Sequence, residues 1–487
     1  MPSLFAWPGW ALYLALFGLL VLWLRMRLAR RRAKGQLTEA ERRFDATLQR
    51  FRVEIDRFKF TRQAAVKILL NHDHAILTEV EELASSGERE RTTLRVQVNR
   101  YVEEIVPFFK PLAYYSFGYK IARLLLNTLY QLDFRPDEVA RIKAYSKERP
   151  RSVVYLMNHR SNADYVLAAY VLAEKIALSF AVGEWARVWP LEYLFKAFGS
   201  FFLRRGFRDP LYHTVLRRYV QLMTKNAVTQ AIFPEGGLTR DGRLRAPKIG
   251  LVDAIVCAKE DRGFARELIF VPVAINYDRV LEDRALVVEA GTRRPPVSRL
   301  RMAMRVSEIL FSNVRKFARH KIRKNGMAAV RFGEPVSFDA WHAAQGVDIF
   351  SLAKDERRAH VARFCNEMHR RIAALVPATP LCIVAKVLLA RPRGTRAELR
   401  ADVAREILHL ETRGVDIVRR TDGAAWMLDG ALLRFGLRRL VTEAGDLVEV
   451  AADAKALLAY YANAIAHHDD GIVPEVERPR HLEAAAR

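Results

Sequence analysis

The sequence predicts an α/β fold with a central mixed sheet flanked by helices, joined to an N-terminal transmembrane and helical region and to a small helical C-terminal module. Three observations support this prediction. Short β-rich segments alternate with helical ones between residues 150 and 335. Residues 4–24 form a run without a charged side chain. Residues 36–104, and much of the chain beyond about 340, carry the apolar periodicity of helices.

Size and composition limit the classes of protein that the chain can represent. Its 487 residues suffice for two or three domains, and a hydrophobic content of 51% excludes disorder over most of the length. The net charge of +25 predicts an anionic partner, which is a nucleic acid, an anionic membrane surface or a phosphorylated or acidic-carrier substrate. The three cysteines, Cys257, Cys365 and Cys382, show no CxxC pair and no ligand spacing. This pattern argues against a disulfide scaffold and a zinc site.

Residues 1–34 are predicted to be a transmembrane anchor with a basic collar. As a helix, the uncharged run Leu4–Leu24 would span roughly 31 Å, which matches the hydrocarbon core of a bilayer. Six basic residues follow it between Arg25 and Lys34, whereas a cleaved signal peptide would carry its positive charges before the apolar run. We therefore expect a single N-terminal pass through the cell (inner) membrane, with the rest of the chain in the cytoplasm and in contact with anionic membrane lipid.

The rest of the chain divides into five predicted regions. Residues 35–107 form a helical N-terminal region, and residues 108–340 form the α/β domain. A helical extension at 341–394 leads to a C-terminal helical module at 395–470, with a hairpin turning near Gly445-Asp446, and to a disordered tail at 471–487. The aromatic and aliphatic stretch 108–130 fits equally well a core helix or an interfacial helix at the membrane or along an acyl-chain groove.

Six β-rich runs define the sheet of the α/β domain. They are Val153–Met157, Leu178–Val182, Phe201–Leu203, Val228–Phe233, Leu268–Ile275 and Ala329–Phe332. Open α/β sheets build their sites at the carboxyl ends of strands, so the residues that follow these runs are the candidates for function.

The first candidate motif is NHRSNAD at 158–164, directly after a predicted strand. Ser161 and Asp164 have the spacing of a capping box, which would hold His159 just outside the next helix. A histidine is suited to general-base catalysis near neutral pH, and Asp164 can orient its ring and stabilise the imidazolium. A GxSxG motif is absent, which favours direct attack by a substrate hydroxyl over a covalent enzyme intermediate.

Three further motifs follow in order along the chain. GSFFLRR at 199–205 ends in Arg204 and Arg205, whose guanidinium groups suit phosphate geometry. FPEGGLTRDGRLRAPK at 233–248 offers glycines for close backbone approach and charged side chains for a polar phosphorylated ligand. VPVAINY at 271–277 is a buried strand with Pro272 at its start, where proline is tolerated, as it is at an edge.

Together, and in this order, the four motifs resemble those of the glycerolipid acyltransferase superfamily, and most closely the bacterial glycerol-3-phosphate 1-O-acyltransferase branch. His159 and Asp164 match the HxxxxD motif, Gly199 to Arg205 match the GxFFxRR type, and Glu235 to Lys248 match the EGG type with its downstream R, GR and PK. Two departures concern the acceptor: Asn162 stands where a second histidine is common, and Leu238-Thr239 replaces an Arg-Ser pair.

The resemblance implies transfer of a fatty acyl group from acyl-CoA or acyl carrier protein to the sn-1 hydroxyl of glycerol 3-phosphate, the first step of phospholipid synthesis. His159 would be the general base and Asp164 its orienting acid. Phosphate and hydroxyl binding would fall to residues of the later motifs, namely Arg204, Arg205, Glu235, Gly236, Gly237, Arg240, Lys248 and Pro272. No metal and no cofactor is implied.

Two competing hypotheses remain open at this point. In the first, the acceptor is instead lysophosphatidate or another lysolipid, because the departures lie in the motifs that would bind it. In the second, the chain is a membrane-tethered nucleic-acid-binding protein, a hypothesis motivated by the charge. Its structural support is the similarity of the C-terminal helices and hairpin to a winged helix. We expect no nucleic-acid partner, since the chain carries no recognised nucleic-acid-binding motif.

Overall fold

The computed structural model describes residues 63–87, 89–110, 118–146, 148, 150–172, 178–187, 191–204, 206–261, 263–290, 325–418 and 423–476, which all fall within one compact unit. The predicted anchor at 4–24, its basic collar and Arg205 lie outside these residues. Within the described part, no helix combines the length and the apolar composition needed to cross a bilayer.

A mixed sheet lies at the centre of the described residues, as predicted. Its strands are β1 (Gln131–Phe134), β2 (Arg151–Met157), β3 (Ser179–Gly183), β4 (Phe201–Leu203), β5 (Gln230–Ile232), β6 (Glu267–Tyr277), β7 (Met327–Phe332) and β8 (Val336–Ser337). They are arranged in the order β1-β7-β6-β2-β5-β3-β4, with β8 beside β6. The pairs β6-β2, β2-β5, β5-β3 and β3-β4 are parallel, whereas β7 and β8 run antiparallel to β6.

All six predicted strands are present, and β1 and the two-residue β8 are the strands of this sheet that the sequence did not reveal. β1 is only half-buried and contains Gln131 and Asp133, residue types that are not enriched in strands. Its register is set by pairing with β7, from Gln131 opposite Met327 to Phe134 opposite Val330. A strand held by such a distant partner leaves no local signal.

The sheet is buried on both faces. Along β2, Val153, Tyr155 and Met157 belong to one hydrophobic cluster, whereas Val154 and Leu156 belong to a second. Because alternate residues of a strand point to opposite faces, the two clusters lie on opposite sides of the sheet. Continuous burial of β2 explains why it appears in the sequence as an unbroken apolar run.

Helices cover both clusters. In this part of the chain they are α1 (Gln63–Asn71), α2 (His74–Ser85), α3 (Arg91–Ile105), α4 (Tyr119–Leu129), α5 (Pro136–Tyr145), α6 (Asp164–Leu172), α7 (Leu191–Ala197), α8 (Pro210–Lys225), α9 (Gly250–Val256), α10 (Asp283–Ala290), α11 (Phe338–Ala343) and α12 (Lys354–Leu375). The predicted helical N-terminal region is present over its described part as α1 to α3. Asp73 caps α2 by accepting from the backbone N–H of Ala75 at 3.1 Å and also pairs with Arg218 of α8 at 2.8 Å.

Helix α4 lies within the stretch 108–130 and has one buried and one exposed apolar face. Ala122 and Leu126 are buried in the core, whereas Ile121, Leu124 and Leu125 are exposed. One face of this helix is therefore a core face, and the other presents an apolar surface to the outside.

The C-terminal region consists of α13 (Pro380–Ala390), α14 (Arg396–Thr412), α15 (Gly423–Gly436), α16 (Lys455–Ala462) and α17 (His467–Asp470) around a small antiparallel sheet of β9 (Arg393–Thr395), β10 (Val441–Ala444) and β11 (Leu447–Val450). The predicted hairpin is confirmed: Gly445 has a φ of +62°, as a two-residue turn between β10 and β11 requires. The helices of the C-terminal region share a hydrophobic cluster with the central sheet.

Residues 471–476, which the sequence analysis assigned to the tail, pack against the body of the protein. Val473 and Val476 contact the second hydrophobic cluster, and the backbone N–H of Val476 donates to Asn366 Oδ1 at 2.8 Å.

The expectation that Pro272 lies at the start of its strand is wrong. β6 begins at Glu267, and Pro272 lies inside it, between β2 on one side and the β7–β8 pair on the other. β6 pairs with β8 up to Phe270 and with β7 from Val273 onward, so Pro272 faces the bend between those two strands. Its carbonyl still accepts from the N–H of Gly333 at 2.9 Å. The missing N–H of the proline thus falls where the partner strand is interrupted.

Candidate active site

The motif residues meet at one edge of the sheet. Strands β6, β2 and β5 are adjacent and parallel, so their carboxyl ends lie side by side. β2 is followed by residues 158–164, β5 by residues 233–248, and β6 ends at Tyr277. Ligand sites of open α/β sheets form at this edge.

A buried histidine–aspartate pair lies at the centre of this edge. His159 Nδ1 lies 2.9 Å from Asp164 Oδ2, and the two side chains are 1% and 0% exposed. Because a carboxylate only accepts hydrogen bonds, Nδ1 carries the proton and Nε2 presents its lone pair. Nε2 is buried and has no hydrogen-bond partner among the described residues. The pair has the arrangement of a general base and the acid that orients it.

Asp164 is held by donors from two strands. Its Oδ2 also accepts from the backbone N–H groups of Arg160 at 2.8 Å and Ser161 at 3.0 Å, and its Oδ1 accepts from the hydroxyl of Tyr277 at 2.7 Å. The carboxylate is the first residue of α6, where the helix dipole also favours a negative charge. The predicted capping contact is present in modified form, since Ser161 Oγ accepts from Ala163 N at 3.1 Å and donates to Glu282 at 2.8 Å.

Aromatic rings fix the orientation of the imidazole. The His159 ring stacks on Phe233 with a centroid separation of 4.1 Å and an interplanar angle of 22°. Tyr165 meets it edge-on at 5.5 Å. Packing on two sides, together with the bond to Asp164, leaves the ring a single orientation with Nε2 directed away from the carboxylate.

Glu235 is a second buried acid beside this pair. It is 1% exposed, and the backbone N–H of His159 donates to its carboxyl group. Burial raises the pKa of Glu235 to about 8, although the charges of Arg160 and Arg245 act to lower it. Its Oε1 has no hydrogen-bond partner among the described residues. At neutral pH, this side chain is therefore mainly a neutral carboxyl that can both donate and accept.

The segment 235–248 folds back over the histidine. The N–H of Thr239 donates to the carbonyl of His159 at 3.3 Å, and the N–H of Lys248 donates to the carbonyl of Pro234 at 2.8 Å. Gly236 has a φ of +66°, and a Cβ there would lie 3.1 Å from Cδ of Lys248. The Lys248 side chain therefore lies across the Gly236 backbone. The next residue, Gly237, is buried.

The C-terminal region closes this segment from the other side. The side-chain amide of Asn463 donates to the carbonyl of Asp241 at 2.8 Å, and Arg243 pairs with Asp470 at 2.8 Å. Gly242 has a φ of +89°, and a Cβ there would lie 1.8 Å from the carbonyl oxygen of Tyr460 in α16. Only glycine fits this contact.

The structure does not bring every predicted phosphate-binding residue to the histidine. Arg204 donates from Nε to Glu104 of α3 at 2.7 Å and from Nη2 to the other oxygen of the same carboxylate. Burial acts to raise the pKa of Glu104, but the hydrogen bond from Arg204 and the charge of Arg187 outweigh it and lower that pKa. Arg240 is largely exposed and lies 3.7 Å from Glu289. Pro272 is internal to β6, and Arg205 lies outside the described residues.

Sequence reasoning missed the roles of Tyr277, Phe233 and Arg160. All three stand within the motifs that were singled out, but only the order of the strands reveals that Tyr277 reaches Asp164. The described residues contain no group of three or more side chains arranged to hold a metal ion.

Comparisons with known proteins agree with the geometry of the site. Residues 141–276 match the family model named Acyltransferase. The fold and the histidine–aspartate pair agree with this match, and the resemblance to the glycerolipid acyltransferases is confirmed by it. Residues 311–468 match the model of the glycerol-3-phosphate acyltransferase C-terminal region.

Curated relatives named glycerol-3-phosphate acyltransferase include proteins of Aeromonas hydrophila and Actinobacillus succinogenes. The first is 29% identical over 72% of this chain and 44% of its own length, and the second is 27% identical over 83% and 49%. A third, from Glaesserella parasuis, is 26% identical over 83% and 50%. The chain thus spans about half the length of the curated relatives that it matches.

A solved structure, that of the 1-acyl-sn-glycerophosphate acyltransferase of Thermotoga maritima, shares 16% identity, and the match covers 62% of this chain and 94% of that one. Its TM-score is 0.29, which is too low to bear on the fold or on the acceptor.

The raised pKa of Glu235 makes folding stability depend on pH. The folded chain retains this proton up to about pH 8, whereas the unfolded chain loses it near its ordinary value of 4.5. The stability contribution is complete below the unfolded pKa and is lost as the pH rises through the folded pKa, with a slope of about 1.4 kcal/mol per pH unit within that window. We expect Glu235→Gln to remove this slope, measured as the free energy of unfolding at several pH values. Equal slopes in both proteins would contradict the assignment.

The contact at Gly242 predicts a severe effect of a single methyl group. Gly242→Ala should lower stability by about 1–2 kcal/mol from the positive φ alone, and by more because the Cβ would meet the Tyr460 carbonyl. Thermal unfolding checks this, with Gly250→Ala as the matched control, since a Cβ at Gly250 meets nothing within 4 Å. Equal melting temperatures for the two variants would show that α16 does not press on the loop.

Proposed function

We propose that this chain transfers a fatty acyl group from an acyl thioester to the sn-1 hydroxyl of glycerol 3-phosphate. The observation that carries the proposal is the buried His159–Asp164 pair, whose Nε2 is aimed away from the carboxylate and has no partner among the described residues. The names of the relatives support this acceptor, although the chain matches only about half of their length.

The reaction needs one proton acceptor and no covalent enzyme intermediate. Nε2 of His159 takes the proton of the acceptor hydroxyl as its oxygen attacks the thioester carbonyl. The tetrahedral adduct then collapses, the carbon–sulfur bond breaks, and the imidazolium returns the proton to the leaving thiolate. Asp164 stabilises the imidazolium, because it lies against the protonated Nδ1 throughout. The products are the ester and the free thiol of coenzyme A or of an acyl carrier protein.

Other residues of the motifs would bind the acceptor. Glu235 adjoins His159, and its neutral carboxyl can bind a hydroxyl of glycerol as donor or acceptor. Gly236 and Gly237 bring the backbone close to the ligand, and Lys248 and Arg240 add positive charge on the same segment. Arg204 would reach a phosphate only after leaving Glu104, and Pro272 would act through the shape of β6.

The proposal is tested by comparing acceptors. Membranes that contain the full chain should acylate radiolabelled glycerol 3-phosphate faster than lysophosphatidate, and His159→Ala should lower turnover by about 10²- to 10⁴-fold because it removes the general base. His72→Ala, at an exposed histidine, is the matched control for protein abundance and membrane content. A preference for lysophosphatidate would replace the acceptor, and substantial turnover by His159→Ala would contradict the mechanism.

We also propose that residues 4–24 tether the chain to the inner membrane, with the catalytic domain in the cytoplasm. Helix α4 fits this location, since its exposed Leu124 and Leu125 lie among the basic Lys120 and Arg123. Apolar residues between cations are typical of helices that lie at an anionic membrane surface.

An environment-sensitive fluorophore tests the orientation of α4. The native cysteines are buried, so a fluorophore can be attached selectively at Leu124→Cys or at Leu408→Cys, both exposed leucines. In vesicles that contain anionic lipid, the emission from position 124 should shift to shorter wavelength relative to detergent micelles, because the group enters the interface. Position 408 should not respond, and equal responses would contradict the membrane orientation.

A further inference from the structure

Arg160 is a buried cation whose charge is not paired within the described chain. It follows His159 directly and is 3% exposed. Its Nη1 donates to the carbonyl of Gly242 at 2.5 Å, and its guanidinium lies 5.4 Å from the ring centroid of Tyr460. Its Nε and Nη2 are buried and have no hydrogen-bond partner among the described residues.

The other deeply buried arginines show what such a side chain requires. Of the described arginines, Arg151, Arg160 and Arg331 have less than a tenth of their surface exposed. Arg151 pairs with Glu148 and Glu267, and Arg331 pairs with Asp133 and Asp416. A buried charge is costly without a counter-ion, so two of the three are neutralised from within the chain. Arg160 differs because it has no carboxylate within ion-pair distance among the described residues.

The unpaired edge of Arg160 has a specific shape. Nε and Nη2 form the side-on fork through which a guanidinium binds two oxygens of one anion. Arg204 uses the same two nitrogens to bind both oxygens of Glu104. In Arg160 the fork is left over, since Nη1 alone is used by the chain to hold Gly242.

The fork lies in the same pair of hydrogen-bonded segments as His159 and Glu235. Segments 158–164 and 235–248 are joined by the bonds from Thr239 to His159 and from Arg160 to Gly242. Three buried polar groups of these segments lack partners within the described chain: His159 Nε2, Glu235 Oε1 and the fork of Arg160. The carboxyl of Glu235 does not neutralise Arg160, because burial keeps it mainly protonated at neutral pH.

We propose that Arg160 binds the phosphate of the acyl acceptor through its Nε–Nη2 fork. This inference rests on the proposed function and adds to it the residue that selects a phosphate monoester. One pocket then offers a base for the reacting hydroxyl, a neutral acid for a neighbouring hydroxyl and a bidentate cation for the phosphate. Arg204, whose fork is occupied by Glu104, has a structural role at the junction of α3 and β4.

Binding is measured first, independently of turnover. The full chain in phospholipid vesicles should gain thermal stability from glycerol 3-phosphate and, more weakly, from inorganic phosphate, because a ligand of the folded state stabilises it. Arg160→Met should lose both gains. Arg434→Met is the matched control, because Arg434 likewise donates to a backbone carbonyl, that of Gly430. It differs from Arg160 in being only half-buried and in lying on α15.

The same variants report on folding without ligand. Arg160→Met removes an unpaired buried charge but also the bond to the Gly242 carbonyl, so its melting temperature should fall less than that of Arg331→Met. Arg331→Met strands two carboxylates and should melt several degrees lower. If Arg160→Met melts as low as Arg331→Met, Arg160 is a structural residue and the proposal fails.

Kinetics then identify the anion. Arg160→Met, and Arg160→Lys to a lesser degree, should raise the KM for glycerol 3-phosphate by about 100-fold, the loss expected for hydrogen bonds to a charged group. The kcat/KM for glycerol, which carries no phosphate, should not change. An equal fall of kcat with both acceptors would instead assign Arg160 to the transition-state oxyanion and overturn the proposal.

Coenzyme A also carries phosphates, so an acyl donor that lacks them tests whether Arg160 binds the donor and not the acceptor. If Arg160 bound the phosphates of coenzyme A, the variants would raise the KM for acyl-CoA but not for an acyl thioester of N-acetylcysteamine. That result would contradict the proposal.

Failure of the proposed function can be distinguished from failure of the role proposed for Arg160. A chain that binds glycerol 3-phosphate through Arg160 but acylates nothing refutes the reaction alone, whereas unchanged binding by Arg160→Met refutes the role of Arg160 alone.

Discussion

The fully buried carboxylate of Asp164 is the constraint around which the site is organised. A charge without solvent must be satisfied by protein donors, and here the donors come from the His159 ring, the backbone at 160–161 and the hydroxyl of Tyr277. These donors can converge only if β2 and β6 are neighbours in the sheet and α6 begins at residue 164. The same bonds fix the proton of His159 on Nδ1 and leave the lone pair of Nε2 free of a partner among the described residues. The geometry of the histidine–aspartate pair is therefore a consequence of satisfying one acid.

The C-terminal region is part of this arrangement and shares a core with the sheet. Buried Asp278, just after β6, accepts from the N–H of Met327 at 2.7 Å and of Leu381 at 3.0 Å, which ties the start of α13 to the strands. Tyr461 of α16 donates to Asp283, which also pairs with Arg438 at 2.7 Å. With α16 held in this way, its backbone presses on Gly242 and shapes the segment that carries Glu235. The matched C-terminal region thus packs directly against the segment that carries Glu235.

The arginines of this molecule differ in whether they have a carboxylate partner. The motif arginines were predicted as a group of phosphate ligands, yet Arg204 is neutralised by Glu104 and Arg240 lies at the surface near Glu289. Arg160, which the sequence analysis passed over, is the deeply buried arginine without a carboxylate partner in the described chain. Sequence spacing shows which cations stand near a motif. It does not show which of them already has a counter-ion, because Glu104 is a hundred residues away from Arg204.

The sequence by itself determined the α/β class, six of the strands of the central sheet, the hairpin at Gly445-Asp446 and the pairing of His159 with Asp164. Apolar runs predict strands, turn residues predict the hairpin, and a spacing of five residues predicts the pair. All three are local properties of the chain. The tertiary structure alone decided the place of β1, the interior position of Pro272, the bond from Tyr277 to Asp164 and the contact of Gly242 with Tyr460. Each of these depends on which distant segments become neighbours. That choice is made by burial of the whole chain, and no short stretch of sequence records it.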